Sequence, residues 1–309
     1  MTTKIAILLS TYNGGRFLEE QIQSIIDQTN HSWELFIRDD GSTDETLSII
    51  KKFQADSRIH WINAEQPQNL RVIRSFLTLL TTANAEYYMF CDQDDVWLPE
   101  KVQITLDKMV ELEATHSNVP VLVHTDLRVV DQELQTLHDS MMKSQQLDPV
   151  PEFGRLVIQN SITGCTVMIN QKLKVACQQL NYSKIRMHDW WFALVACAFG
   201  TIGYVSQPTI LYRQHGDNEV GAKNPINEAL SRKHLFQQTK ATIVASIAQA
   251  GYFAEVYPQL TAKQLEVIRF LKNIDQFRKM QRYQLLKQYG ISKSGRSRNA
   301  FFVYQILFW

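Results

Sequence analysis

Three of the four residues in Asp92-Gln93-Asp94-Asp95 are carboxylates, and they directly follow the apolar run Tyr87 to Cys91. Two carboxylates flanking one residue at a strand end can share a hard divalent cation through oxygen, leaving positions open for diphosphate oxygens. The plainer reading is a solvated acidic turn ahead of a helix starting after Pro99. Two further polar segments also follow apolar runs: Ser10-Thr11-Tyr12-Asn13, and Asp39-Asp40-Gly41-Ser42. A carboxylate such as Asp40 can accept a hydrogen bond from a base imide or ribose hydroxyl, and Ser10 and Thr11 can add hydroxyl and backbone contacts. A turn capping the next helix through Ser42 or Thr43 has the same composition.

Two later segments also carry chemistry. In His188-Asp189-Trp190-Trp191 a carboxylate sits beside two tryptophans in an apolar stretch that runs to Phe199. Such a charge carries a desolvation cost unless it is paired or useful, and desolvation raises a carboxyl pKa toward the range of a general base. A helix N-cap at Asp189 with core tryptophans is the competing reading. In Tyr212-Arg213-Gln214-His215 the imidazole can complete a carboxylate metal site and Arg213 can neutralise phosphate charge, although a lone His is more often a hydrogen-bonded loop residue.

The elements that must position these residues alternate. Lys4 to Ser10, Trp33 to Arg38, Ile59 to Asn63 and Tyr87 to Cys91 read as strands; helices follow from Phe17, from Leu47 and over Val72 to Thr82. That alternation predicts right-handed crossovers and a parallel sheet, with ligands outside the carboxyl ends of the strands. All three early polar segments lie at such ends and should converge on one crevice. Beyond Val119 the pattern is mixed. Val121 to His124 and Gly164 to Asn170 read as strands, Asp131 to Pro151 as a loop, and Gly203 to Val205 and Thr209 to Arg213 as short strands flanking Pro208. After Asn224-Pro225 long helices are expected over 226–250 and 261–289, with Gly251 and Pro258 between them.

The chain has 309 residues, 45% of them hydrophobic, and a formal net charge of +1, so nothing global points to nucleic acid. Cys91, Cys165, Cys177 and Cys197 form no CxxC pair and read as reduced thiols of a cytoplasmic protein rather than zinc ligands. The apolar run after Lys4 is too short for a signal peptide, and no uncharged stretch approaches the ~18 residues of a membrane span.

In this order, Ile7-Leu8-Leu9-Ser10-Thr11-Tyr12-Asn13, Arg38-Asp39-Asp40-Gly41-Ser42-Thr43-Asp44, Phe90-Cys91-Asp92-Gln93-Asp94-Asp95-Val96-Trp97 and His188-Asp189-Trp190 resemble the family 2 glycosyltransferases. The resemblance covers residues ~4–220. It implies the GT-A fold, a Rossmann-like α/β domain with a mixed, mostly parallel sheet flanked by helices, over residues 1–224. The nucleotide-sugar half would span about 1–118 and the acceptor half about 119–224, with a helical C-terminal region at 225–309. It also implies roles. Ser10, Thr11, Tyr12, Asn13, Asp40, Asp92 and Gln93 would hold the nucleotide-sugar, with Thr11 and Asp40 on ribose and base. Asp92 and Asp94 would be the metal pair for Mn2+ or Mg2+, with His215 able to reach the metal, and Asp189 the catalytic base. Gly164 and Cys165, within Thr163 to Thr166, and His188 and Trp190 would line the acceptor side. Asn69-Leu70-Arg71 departs from the Asn-Leu-Gly of many relatives, and Arg71 or Arg74 would touch base or diphosphate.

The strings around Asp92, His188 and Tyr212 most resemble rhamnosyltransferases of bacterial cell-wall polysaccharide synthesis. These transfer from dTDP-β-L-rhamnose to a lipid-linked acceptor, typically forming α-1,3 or α-1,2 links. A UDP-hexose donor is the alternative within the family. A nucleotidyltransferase would need a basic, glycine-rich phosphate loop, for which Gly14-Gly15-Arg16 is thin; an intact Asp92, Asp94 and Asp189 set speaks against a silent sugar-binding subunit. Finally, Lys293 to Arg298 is basic and precedes the apolar, aromatic stretch Asn299 to Trp309. That composition suits the inner face of a membrane, and equally a terminal helix packed on the protein or on a second subunit of a homo-oligomer.

Overall fold

The computed structural model describes residues 4–65, 68–178, 180–215 and 232–309. Its strands are β1 (Ile5–Thr11), β2 (Trp33–Asp39), β3 (Ile59–Trp61), β4 (Tyr87–Cys91), β5 (Val96–Trp97), β6 (Val121–Val130), β7 (Thr136–His138), β8 (Val167–Asn170) and β9 (Thr201–Arg213). The helices before the last gap are α1 (Leu18–Ile26), α2 (Thr46–Phe53), α3 (Arg71–Thr82), α4 (Lys101–Thr115), α5 (Met141–Ser144), α6 (Phe153–Leu156), α7 (Gln171–Ala176) and α8 (His188–Phe199). The C-terminal region supplies α9 (Arg232–Val256), α10 (Ala262–Lys272), α11 (Lys279–Gln288) and α12 (Arg296–Leu307).

One mixed sheet runs β3-β2-β1-β4-β8-β6-β9-β5, with β7 paired to β6. The pairs among β1 to β4 are parallel, β8 runs antiparallel to both its neighbours, and β6 and β9 are parallel. Alternation along the central strands splits the core in two. Ile5, Ile7 and Leu9 of β1 and Met89 and Cys91 of β4 face Leu18, Ile22 and Ile25 of α1 and Val102 and Met109 of α4. Ala6, Leu8, Tyr88 and Phe90 face Phe76 of α3, Trp191 and Phe192 of α8, and Phe253, Phe270 and Phe302 from the C-terminal helices. The C-terminal helices therefore share a core with the sheet. Truncating a fully buried Leu8 to Ala would cost about 2–5 kcal/mol.

Several expectations need correction. The expected strand at Gly164 begins with a 3-10 turn, Gly164–Thr166, and only Val167–Asn170 pairs. Within 131–151, read as a loop, lie β7 and α5. The two strands around Pro208 are one, β9; Pro208 has no N–H for the ladder, and the register with β6 slips beside Asp126 instead of the strand ending. Neither Ser42 nor Thr43 caps α2, whose N-cap is Glu45. Gly251 lies inside α9, and the stretch 261–289 is split by a 3-10 turn at Ile274–Gln276. The expected start of a helix at 226 and the boundary at Asn224-Pro225 lie outside the described residues.

The tail divides along α12. Phe302 and Ile306 are buried in the protein, whereas Tyr304 and Phe308 are exposed. Among the described residues, no helix is long and apolar enough to cross a membrane.

Candidate functional site

The carboxyl ends of β1, β2 and β4 are tied to one another by side chains from the loops that follow them. The Ser10 hydroxyl donates to Ser75 Oγ at 2.7 Å and Thr11 Oγ1 donates to Asp39 at 3.0 Å. Asp39 is fully buried and also accepts the Gly41 and Ser42 amides, so its task is to shape the β2 turn. Asn13 stands at φ +47°, which asparagine tolerates, and its amide donates to Ser42 Oγ at 2.8 Å. Gln93 reaches back to Tyr12, accepting its amide at 2.8 Å and donating to its carbonyl at 3.1 Å. Gly14 leaves the room for this, because a Cβ there would lie 2.4 Å from Gln93 Oε1. The ring of Tyr12 is half exposed over the crevice edge.

Asp40 is buried and held from several sides. Its carboxylate is ion-paired with Arg38 and accepts the Leu70 amide at 3.1 Å and the Arg71 amide at 2.6 Å. Arg71 itself adopts φ +62°, the left-handed region that favours glycine, at the position where the family resemblance leads one to expect glycine. Its side chain is exposed.

The acidic cluster separates into two levels. At the mouth, Asp94 Oδ2 and His215 Nε2 lie 2.7 Å apart, and the Asp92 carboxylate is half-buried. Below them Asp95 is fully buried: one oxygen accepts the Arg213 amide at 3.1 Å, and the Cys165 thiol is a further side-chain partner of the carboxyl. Burial, with Asp94 and Asp92 beside it, holds the Asp95 carboxyl well above the usual carboxylate range. Ligand atoms of Asp92, Asp95 and Cys165 fall within 4.8 Å of one another, but burial pushes the Cys165 thiol up, and a protonated thiol is a poor ligand. Carboxylate oxygens and a neutral imidazole are the donor types that suit Mg2+ or Mn2+; of the three ligands expected from sequence, the structure puts Asp94 and His215 in contact.

Arg213 is tied into the scaffold beneath the acidic loop. Its guanidinium is buried, donates to the Asp94 carbonyl at 2.9 Å and to the Gln132 carbonyl, pairs with Glu20 and sits 4.4 Å over the Phe17 ring. It thereby ties α1, the acidic loop and the turn after β6 together.

Asp189 occupies the first turn of α8, whose N-cap is Met187, so the capping reading fails. The carboxyl is buried and accepts the Trp190 amide at 2.6 Å, with Asn160 and the Gly164 amide as further donors. Burial outweighs these hydrogen bonds and raises it to about 7. Trp190 is fixed by donating from Nε1 to the Leu156 carbonyl at 2.6 Å. The His188 ring lies among Phe76, Phe90 and Phe192, with neither nitrogen hydrogen-bonded, and burial depresses it to about 3, so it is neutral.

The 3-10 turn at Gly164–Thr166 joins the two walls. Gly164 packs against α8, where a Cβ would lie 3.2 Å from His188 Nε2 and 3.7 Å from Asp189 Cβ; Cys165, the next residue, stands against Asp92 and Asp95. Of the residues expected from sequence, the structure thus links Asp92, Gln93, Asp94 and His215 at the end of β4, through Cys165 and Gly164, to His188 and Asp189 at the start of α8. Asn160 and Arg213's scaffolding went unread, since nothing in their local sequence signals partners in distant segments.

The family description "Glycosyl transferase family 2" matches residues 6–170. The chain belongs to glycosyl transferase family 2. It is 30% identical to the dTDP-rhamnosyl transferase RfbG of Shigella flexneri over 69% of this chain and 74% of that protein. It is 27% identical to the putative teichuronic acid biosynthesis glycosyltransferase TuaG of Bacillus subtilis, over 64% and 75% of the two chains. Among solved structures, S. aureus TarS residues 1–349 in complex with UDP-GlcNAc superposes with a TM-score of 0.56 at 15% identity, covering 87% of each chain. The chain spans about half of a longer TarS structure, 54% of its length. The shared architecture is the GT-A fold, and the protein is a glycosyltransferase enzyme of the nucleotide-sugar-dependent kind.

Proposed function

We propose that this family 2 enzyme is an inverting, metal-dependent rhamnosyltransferase acting on a lipid-linked saccharide in bacterial cell-wall polysaccharide synthesis. The observation that carries the reading is the turn at Gly164–Thr166, which sets a buried carboxyl with a pKa of about 7, Asp189, across from the Asp92-to-Asp95 cluster. The similarity to RfbG favours dTDP-β-L-rhamnose as donor, and inversion gives an α link, at O3 or O2 of the acceptor sugar.

In this reading Ser10, Thr11, Tyr12, Asn13, Asp40, Arg71 and Gln93 surround the nucleotide, with Asp40 acting through the loop it holds at Leu70 and Arg71. Asp92 and Asp94, with His215, would hold the divalent metal, which when bound neutralises charge growing on the departing diphosphate. Asp189 accepts the acceptor hydroxyl's proton as that oxygen bonds to the anomeric carbon. The bond to the diphosphate oxygen breaks, its electron pair leaves with dTDP, and the proton rests on Asp189. His188, neutral and fixed, and Trp190 shape the acceptor side. We further take 1–224 as the transferase unit, divided near 118, and 225–309 as a helical region that buttresses its acceptor half.

A UDP-hexose donor is the second reading, favoured by the UDP-GlcNAc complex of TarS. Release of nucleoside diphosphate from dTDP-rhamnose against UDP-hexoses decides between them: a UDP-hexose preference rejects rhamnose. The membrane part of the reading, an enzyme working at the cytoplasmic face of the membrane, rests on the exposed Tyr304 and Phe308, with Lys279 3.8 Å over the Phe308 ring. Unchanged sedimentation with anionic liposomes after Tyr304→Ser and Phe308→Ser would remove it.

A further inference from the structure

Most basic side chains around the acceptor wall have a carboxylate: Arg155 pairs with Asp148 and Lys184 with Glu255. Arg186, Lys293 and Arg298 do not. Among the described residues none of the three forms an ion pair, and both guanidinia lie close enough to Lys293 to hold its ammonium below its ordinary value, adding to the effect of burial. Lys293, half-buried and repelled by both guanidinia, carries an electrostatic cost that an anion would remove.

The cluster is built. The Arg186 amide donates to Gln249 Oε1 at 2.7 Å, and its Nη1 donates to the Thr242 carbonyl at 2.6 Å and to Ser246 Oγ at 3.0 Å. Among the described residues no group accepts from its Nε or Nη2, which leaves one edge of the fork for a ligand. The guanidinium rests 5.1 Å from the centre of the Trp190 ring, which itself follows Asp189 in α8. Lys293 is pinned by its amide on Asn299 Oδ1 at 2.9 Å, and Ser294 by its amide on Gln159 Oε1 at 2.7 Å. Gln159 precedes Asn160, a donor to Asp189. Arg298 is held by its Nε on the Ser294 carbonyl at 2.9 Å and by Nη2 on the Gln145 carbonyl. Both arms of the cluster are thus anchored to segments that carry the proposed base.

An apolar groove of about 530 Å3 leaves from the same place. It runs between α11 and α12 over Tyr283, Leu286, Ile291 and Val303, with Lys287 also on its wall; Ser292, next to Lys293, and Asn299, whose Oδ1 accepts the Lys293 amide, line it too. Cations at the head of an apolar groove match an amphiphile with an anionic head and a hydrocarbon chain.

We propose that Arg186, Lys293 and Arg298 bind the diphosphate of a polyprenyl-diphosphate-linked acceptor, with the first isoprene units in the α11–α12 groove. This rests on the reading of the Asp189 wall as the acceptor side. Two measurements test it separately from that reading. In EDTA, to silence the donor's metal site, Trp190 and Trp191 report binding of farnesyl diphosphate, farnesol and inorganic diphosphate by fluorescence. Farnesyl diphosphate should bind more tightly than either partial ligand, and Arg186→Gln, Lys293→Gln and Arg298→Gln should each weaken it about tenfold. No binding to the wild type, unchanged binding in the variants, or equal affinity for farnesol overturns the proposal; equal affinity for inorganic diphosphate overturns its lipid half. In turnover, the wild type should prefer an acceptor on a prenyl diphosphate over the same saccharide on a neutral alkyl aglycone, and each variant should lower that preference about tenfold, chiefly through KM. A preference that stays within twofold in all three variants rejects the site while leaving the transferase reading intact. Absence of transfer to either acceptor rejects the transferase reading instead, and the fluorescence arms still decide the site. Lys293→Gln and Arg298→Gln lie outside the helical core and stand in if Arg186→Gln does not fold.

Discussion

The two walls of the crevice hold carboxylates by opposite means. On the donor wall Asp92 and Asp94 sit half-buried at the end of β4, in loops whose hydrogen bonds come from the ends of neighbouring parallel strands. On the side proposed for the acceptor Asp189 is buried in α8, and the groups around it come from Asn160, Gly164 and, behind those, the loop before α12. The first arrangement leaves carboxylate oxygens open to water, where a cation and a diphosphate could reach them. The second withholds water and leaves a carboxyl that exchanges a proton near neutral pH.

Removing the base should show the contrast at its largest. Asp189→Asn is expected to lower kcat by about 10²–10⁴-fold with donor binding retained. The same variant should be more stable above pH 7. The folded state holds this proton to about pH 7 while the unfolded chain releases it near the ordinary aspartate value of 3.8, so stability is lost as pH rises between the two. A melting temperature that is unchanged at pH 8 would mean the carboxyl is not held uncharged by burial. On the other wall, Asp94→Ala should cut kcat/KM by about 10²–10³-fold and abolish the response to added Mn2+. A metal response identical to wild type would remove Asp94 from the ligand set.

Smaller effects test the junction and the rim. Gly164→Ala puts a methyl 3.2 Å from His188 Nε2 and near Asp189. A shift of that size should lower kcat by about 10–100-fold with donor KM little changed, and wild-type kcat would show that the turn does not set the base. Arg71→Gly relieves a left-handed arginine, φ +62°, and should stabilise the fold by about 1 kcal/mol. If the Arg71 side chain meets the donor, donor KM rises about tenfold; an unchanged KM takes Arg71 out of the nucleotide site.

The same contrast explains what could be read from sequence. The donor wall is local: apolar strands stop where polar motifs begin, and Tyr87–Cys91 and Trp33–Asp39 form almost where their composition says. The acceptor wall is assembled from distant pieces. Asp189 was visible because a carboxylate between apolar neighbours needs a reason. Asn160 was not, because its partner lies far along the chain and an isolated Asn in a loop carries no pattern. The length of β9 was hidden by Pro208, where the lost ladder bond is absorbed by a register slip against β6. The shared core of α8 with Phe253, Phe270 and Phe302 was equally hidden, since an apolar helix face does not name what covers it.

The most direct test is the pH dependence of kcat/KM for the acceptor at saturating donor and metal. A buried Asp189 acting as base predicts a logarithmic rise with unit slope through the acid range, levelling near pH 7. A profile that is flat from pH 5 to 8 would contradict it.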